Sequence, residues 1–129
     1  MALWSSDGSL ELYRAEDERS NSLSSANLQH GTSTLEVGGR SLTSLMEENG
    51  HHRIDLLKMD VEGAEYDVLE SVDVAALGVA VLCVEFHATV PVKRARGILA
   101  GLRERGLAVA HIDGPDYTLV RVAAAGVPS

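Results

Sequence analysis

The feature that most constrains this fold is an alternation in the second half of the chain. Ile54–Asp60 reads as a strand, Glu62–Val72 as a helix with Val68, Leu69 and Val72 inward, and Val79–Phe86 as an apolar strand. An apolar run of that length is the pattern of a parallel strand covered on both faces. Pro91 takes the favoured first position of another helix, whose expected buried stripe is Val92, Ala95, Leu99 and Leu102, ended by Gly106. Lys93, Arg94, Arg96, Arg103 and Arg105 are expected on its solvated faces. Leu107–Ile112 and Tyr117–Val122 flank Asp113-Gly114-Pro115-Asp116 and read as an antiparallel pair. The order strand–helix–strand–helix–strand–strand predicts α/β architecture, a mostly parallel sheet ending in an antiparallel strand pair.

The first half is less regular. Asp7-Gly8 marks a turn, so Ala2–Trp4 and Leu10–Tyr13 are expected to form a hairpin. Ala15–Thr34 has loop composition, and Thr34–Val37 is a short strand broken by Gly38-Gly39. Ser41 reads as the N-cap of a helix carrying Leu42, Leu45 and Met46 on one face, with Gly50 as its stop. At 129 residues the chain is one domain, expected over residues 1–122, with a small-residue tail over 123–129.

Charge and composition exclude several functions. The formal net charge is −8, and residues 1–70 carry 5 Lys/Arg against 14 Asp/Glu. Such a chain is a poor ligand for nucleic acid or an anionic membrane, because phosphate contacts need cationic side chains. No apolar stretch approaches a membrane span, and Met1–Gly8 lacks the pattern of a secretory signal, so a cytoplasmic location is expected. Cys83, the single cysteine, excludes an internal disulfide and a cysteine zinc cluster; inside an apolar run it reads as a small core residue.

In open α/β sheets ligands bind beyond the carboxyl ends of the strands. That rule selects Asp60 to Glu65 and Glu85 to Thr89. Lys58-Met-Asp60-Val-Glu62-Gly63-Ala-Glu65 places three acids in six residues where a strand gives way to a helix. The structural account is capping by Asp60, with Glu62 and Glu65 favourable in the first helical turn. Lys58 shares a strand face with Asp60 and could pair an acid there. Glu85 and His87 also share a face, and an imidazole with its ordinary titration near neutrality can act as a general base. Asp60, Glu85 and His87 would also suit a divalent metal if their strands are neighbours, although no ligand-spacing motif supports one. His51-His52 sits in a loop and reads as solvated. There is no phosphate-cradling glycine loop and no Gly-x-Ser-x-Gly elbow.

The run Ile54-Asp-Leu-Leu-Lys-Met-Asp-Val-Glu-Gly-Ala-Glu-Tyr-Asp-Val-Leu-Glu70 closely resembles the signature of FkbM-type methyltransferases. Val84-Glu-Phe-His87 is similar to that family's next strand end, and Ala2–Gly8 weakly to the segment after its third strand. The resemblance implies a Rossmann-like class I fold and S-adenosylmethionine as cofactor. It also implies O-methylation of a small-molecule hydroxyl on a sugar or natural product. The family's opening glycine loop and the acid ending its second strand have no counterpart here, and Thr43 stands where an acid is common. On this resemblance the chain is expected to correspond to a C-terminal portion, an incomplete methyltransferase fold, and to bind S-adenosylmethionine weakly by itself. On this resemblance Asp60 lies nearest the transfer point and the cofactor. Glu62 and Glu65 shape the acceptor side, His87 is the base, and Glu85 orients it or binds acceptor hydroxyls. Two other readings stand beside it: a non-catalytic partner domain that self-associates through an uncovered sheet edge, and another α/β nucleotide-binding module.

Overall fold

The computed structural model describes residues 2–14, 23–24, 33–61, 63–87 and 92–122. Its elements in chain order are β1 (Ala2–Leu3), β2 (Gly8–Arg14), β3 (Leu23–Ser24), β4 (Thr34–Arg40), α1 (Leu42–Glu48), β5 (Leu56–Met59), α2 (Glu65–Ser71), β6 (Val81–Glu85), α3 (Val92–Glu104), β7 (Leu107–Asp113) and β8 (Asp116–Arg121). They form two four-stranded sheets, ordered β1-β4-β2-β3 and β5-β6-β8-β7.

The second sheet is the one the sequence foretells. β5 and β6 are adjacent and parallel, with α2 between them in the chain, and β7 and β8 are antiparallel. β8 lies beside β6, so the chain's last strand separates β7 from the parallel pair. This makes the sheet mixed rather than mostly parallel: among the described residues, parallel pairing occurs only at β5–β6 here and at β1–β4 in the first sheet. Side chains alternate across β6. Leu82 and Val84 are buried under the helices, while Val81, Cys83 and Glu85 on the other face are half-buried. The apolar run thus covers one face fully and the other partly, and Cys83 is not a core residue.

The core is built from Met59, Leu82, Val84 and Leu119 of this sheet against Val68 and Leu69 of α2 and Ile98 and Leu102 of α3. On α3 the buried pair is Ile98 and Leu102; Val92, expected in the stripe, is 67% exposed because it stands at the open start of the helix. Pro91, Glu62 and the 123–129 tail lie outside the described residues. Arg94 is not merely solvated. It bonds Glu70 and Asp67 of α2 and so ties the two helices together.

The first sheet departs from the expected hairpin. β1 and β2 do not pair with each other; both pair with β4, β1 in parallel and β2 antiparallel. β4 can serve both because it runs through Gly38 and Gly39 instead of stopping there. A Cβ on Gly39 would lie 3.4 Å from the Gly8 carbonyl oxygen and from the Trp4 Cβ, an ordinary contact distance, so the strands pack closely there without requiring glycine. Ser41 caps α1 as expected, accepting from the Ser44 N–H at 3.1 Å, and Asp7 accepts from the Ser41 N–H at 2.8 Å. Leu3 packs against the core of the second sheet, which joins the two sheets. No helix among the described residues is long and apolar enough to cross a membrane.

Candidate active site

Parallel pairing sets the site. Met59 is in register with Val84, so the next residues, Asp60 and Glu85, emerge side by side at the carboxyl ends of β5 and β6. Glu85 is in register with Asp116 of β8, which extends the row to three acids. Asp116 was legible only as a turn residue, since nothing in Asp113–Asp116 reveals which strand it will join.

The turn from β5 into α2 is unusual. Gly63 adopts φ +104°, a conformation that side-chain-bearing residues rarely take, and Ala64 is the N-cap with no side-chain cap bond. Asp60 is exposed and lies too early to cap. Glu65, the first residue of α2, does that work from within the helix. Its carboxylate is fully buried and accepts from the Gly63 N–H at 3.1 Å and from the Val61 N–H at 3.3 Å. A negative charge at the start of the helix also suits its dipole.

The same carboxylate reaches the next strand end. Glu65 Oε1 is 2.7 Å from His87 Nδ1, and the imidazole is largely buried. A carboxylate only accepts, so Nδ1 donates and the ring's basic lone pair is assigned to Nε2. Glu85, which the sequence offers as the group orienting His87, has its Oε1 4.0 Å from Nε2, beyond hydrogen-bond distance. The structure therefore brings Asp60, Glu65, Glu85 and His87 together, and Glu65 is within hydrogen-bond distance of the imidazole. Glu62 falls outside the described residues. Tyr66, which sequence reasoning missed, donates its hydroxyl to the His87 carbonyl at 2.7 Å.

Electrostatics follow from the crowding of acids. The Asp60 carboxylate beside Glu85 is the main cause holding the Glu85 carboxyl above the usual carboxylate range, with desolvation adding to it and His87 opposing it. A folded-state pKa raised in this way means stability is lost as pH climbs through the interval from the unfolded to the folded value. Asp60→Asn is expected to lower the Glu85 titration toward that of an ordinary glutamate, as followed by carboxyl-carbon NMR through the acid range. An unchanged titration would show that the two carboxyls do not interact.

One ligand atom each from Asp60, Glu65 and His87 lies within 4.8 Å of the others, a spacing that could face a divalent cation. Of the three, Glu65 already serves two backbone N–H groups and His87. Lys58 is exposed and makes no ion pair among the described residues, and His51 and His52 are exposed. Beside the acids is a hollow of about 130 Å³, lined among others by Lys58, Asp60, Cys83, Glu85, Asp116 and Thr118.

The family model described as the methyltransferase FkbM domain matches residues 2–106. The chain belongs to the FkbM methyltransferase domain family. Among curated proteins, the probable methyltransferase-like protein 24 of Rattus norvegicus and that of Homo sapiens are each 56% identical to this FkbM domain over 32 residues. That stretch is 25% of this chain and 9% of either relative, so the chain matches only a small part of their length. No solved structure matches. The acid-rich site has charge suited to a cation such as the sulfonium of S-adenosylmethionine. The hollow of about 130 Å³ is nevertheless below the ~300–1,000 Å³ typical of small-molecule pockets. The hollow formed by the described residues of this FkbM domain does not fit the whole cofactor.

Proposed function

We propose that this FkbM domain takes part in methyl transfer from S-adenosylmethionine to a hydroxyl oxygen of a sugar or natural product, and that its share is to receive the acceptor. S-adenosylmethionine is the proposed donor, whose sulfonium supplies an electrophilic methyl group. The observation that carries the reading is the Glu65–His87 pair at the ends of the two parallel strands.

A hydroxyl oxygen attacks well only as its proton leaves. His87 is the proposed acceptor of that proton at Nε2, and the buried Glu65 carboxylate on Nδ1 then stabilises the imidazolium. Because the Glu65 oxygens are already bonded, acceptor hydroxyls are expected to donate to Asp60 and Glu85, which border the hollow. Holding the acceptor at this strand end orients its oxygen and removes the entropy of a chance encounter.

A radiolabelled-methyl assay with the protein carrying this sequence and a panel of hydroxylated acceptors tests the proposal. The expected result is label in a base-stable ether linkage. Label found only on nitrogen or in an ester would overturn it. One observation favours the second reading, a non-catalytic partner domain: among the described residues β5 is the outer strand of its sheet, and Leu56 on it is 61% exposed. That reading expects no methylated product from any acceptor.

A further inference from the structure

We propose that Tyr66 is a positioning residue for His87, with Arg94 holding Tyr66 in that role; this rests on the Glu65–His87 reading above. Glu65 and Tyr66 are consecutive residues of the first turn of α2, and they hold the two ends of one histidine. Glu65 bonds the imidazole at Nδ1, and the Tyr66 hydroxyl donates to the backbone carbonyl, each at 2.7 Å. His87 stands two residues beyond β6, outside the ladder that would otherwise fix its backbone. The preceding N–H, that of Phe86, is anchored on the Pro115 carbonyl at 2.9 Å. The phenol hydroxyl adds a tether at the His87 carbonyl.

The phenol is itself held. Tyr66 is 3% exposed, its ring centroid lies 5.3 Å from that of Phe86, and Phe86 meets Tyr117 edge-on at 5.2 Å. The Arg94 guanidinium lies 5.6 Å from the Tyr66 ring centroid. It is fixed there by bonds of 2.7 and 2.9 Å to Glu70 and 3.1 Å to Asp67. A phenylalanine would fill the same space, so the hydroxyl's contribution is the bond to His87. Burial pushes the phenol's titration up, which keeps it a donor. The line Glu70/Asp67–Arg94–Tyr66–His87 thus carries the position of α3 to the imidazole.

The test reads the tautomer of His87, which ring packing alone would not set. Two-bond proton–nitrogen correlation NMR on the whole chain, in mildly alkaline solution where an ordinary imidazole is neutral, assigns the His87 signals by their loss in His87→Ala. The unsubstituted chain should show His87 with the proton on Nδ1. Tyr66→Phe keeps the ring and the fold, and should shift the signals toward the tautomer mixture of an unconstrained imidazole. Arg94→Gln should shift them the same way by less. If Glu65→Gln moves the tautomer and Tyr66→Phe does not, the Glu65–His87 pair stands and the positioning role falls, whatever happens to melting temperature. If the unsubstituted chain lacks the Nδ1 proton, the underlying pair fails and this inference with it.

Discussion

His87→Ala is expected to lower methyl-transfer turnover by ~10²–10⁴-fold at saturating acceptor, the usual loss when a general base is removed. The fold should survive. His87 stands at the edge of the core with its side chain 18% exposed, and its removal leaves the Glu65 carboxylate still bonded to the Gly63 and Val61 N–H groups. The bond lost between Nδ1 and the Glu65 carboxylate contributes about 1.5–3 kcal/mol. Rate and melting temperature therefore separate in this variant. Asp60→Asn provides the comparison. Asp60 is exposed and caps nothing, so a fall in turnover there reports on acceptor handling, not on the start of α2. Near-normal turnover in His87→Ala would reduce the imidazole to a structural partner of Glu65.

Why some of this was legible in the sequence and some was not can be followed residue by residue. The β5–α2–β6 unit was readable because two largely apolar segments of strand length flank one whose apolar residues Val68, Leu69 and Val72 recur at helical spacing. Once those strands are neighbours, Asp60 and Glu85 must emerge together, and the sequence places both. The partner of His87 was not readable. Period-two alternation puts Glu85 on the same face as His87 and makes it the natural choice. The contact instead comes from Glu65, across an irregular turn that depends on Gly63 at positive φ. The placement of Tyr66 and Asp116 depends likewise on tertiary packing and on which strand β8 joins. In the first sheet, Gly38-Gly39 looked like a break because isolated glycines weaken strands. They nonetheless remain in the ladder, Gly38 in register with Ser9 and Gly39 with Gly8 of β2.

Glu65→Ala is expected to be the most destabilising change at the site. Alanine leaves the Gly63 and Val61 N–H groups and His87 Nδ1 without their acceptor, in a place where the carboxylate had no exposed surface. An unsatisfied buried donor costs about 1–3 kcal/mol, and all three of these donors lose the Glu65 carboxylate. For a chain of this length each kcal/mol lowers the melting temperature by ~3–5 °C, so a fall of roughly 10–20 °C is expected in a thermal scan. Glu65→Gln refines the test. Its amide oxygen can still accept from Gly63 or from His87, but it carries no charge to stabilise an imidazolium. Most of the melting temperature should return while turnover stays low. A Glu65→Gln protein with normal stability and normal turnover would mean that the buried acid serves only the start of α2. A Glu65→Ala protein that melts within a few degrees of the parent would mean that it does not serve even that.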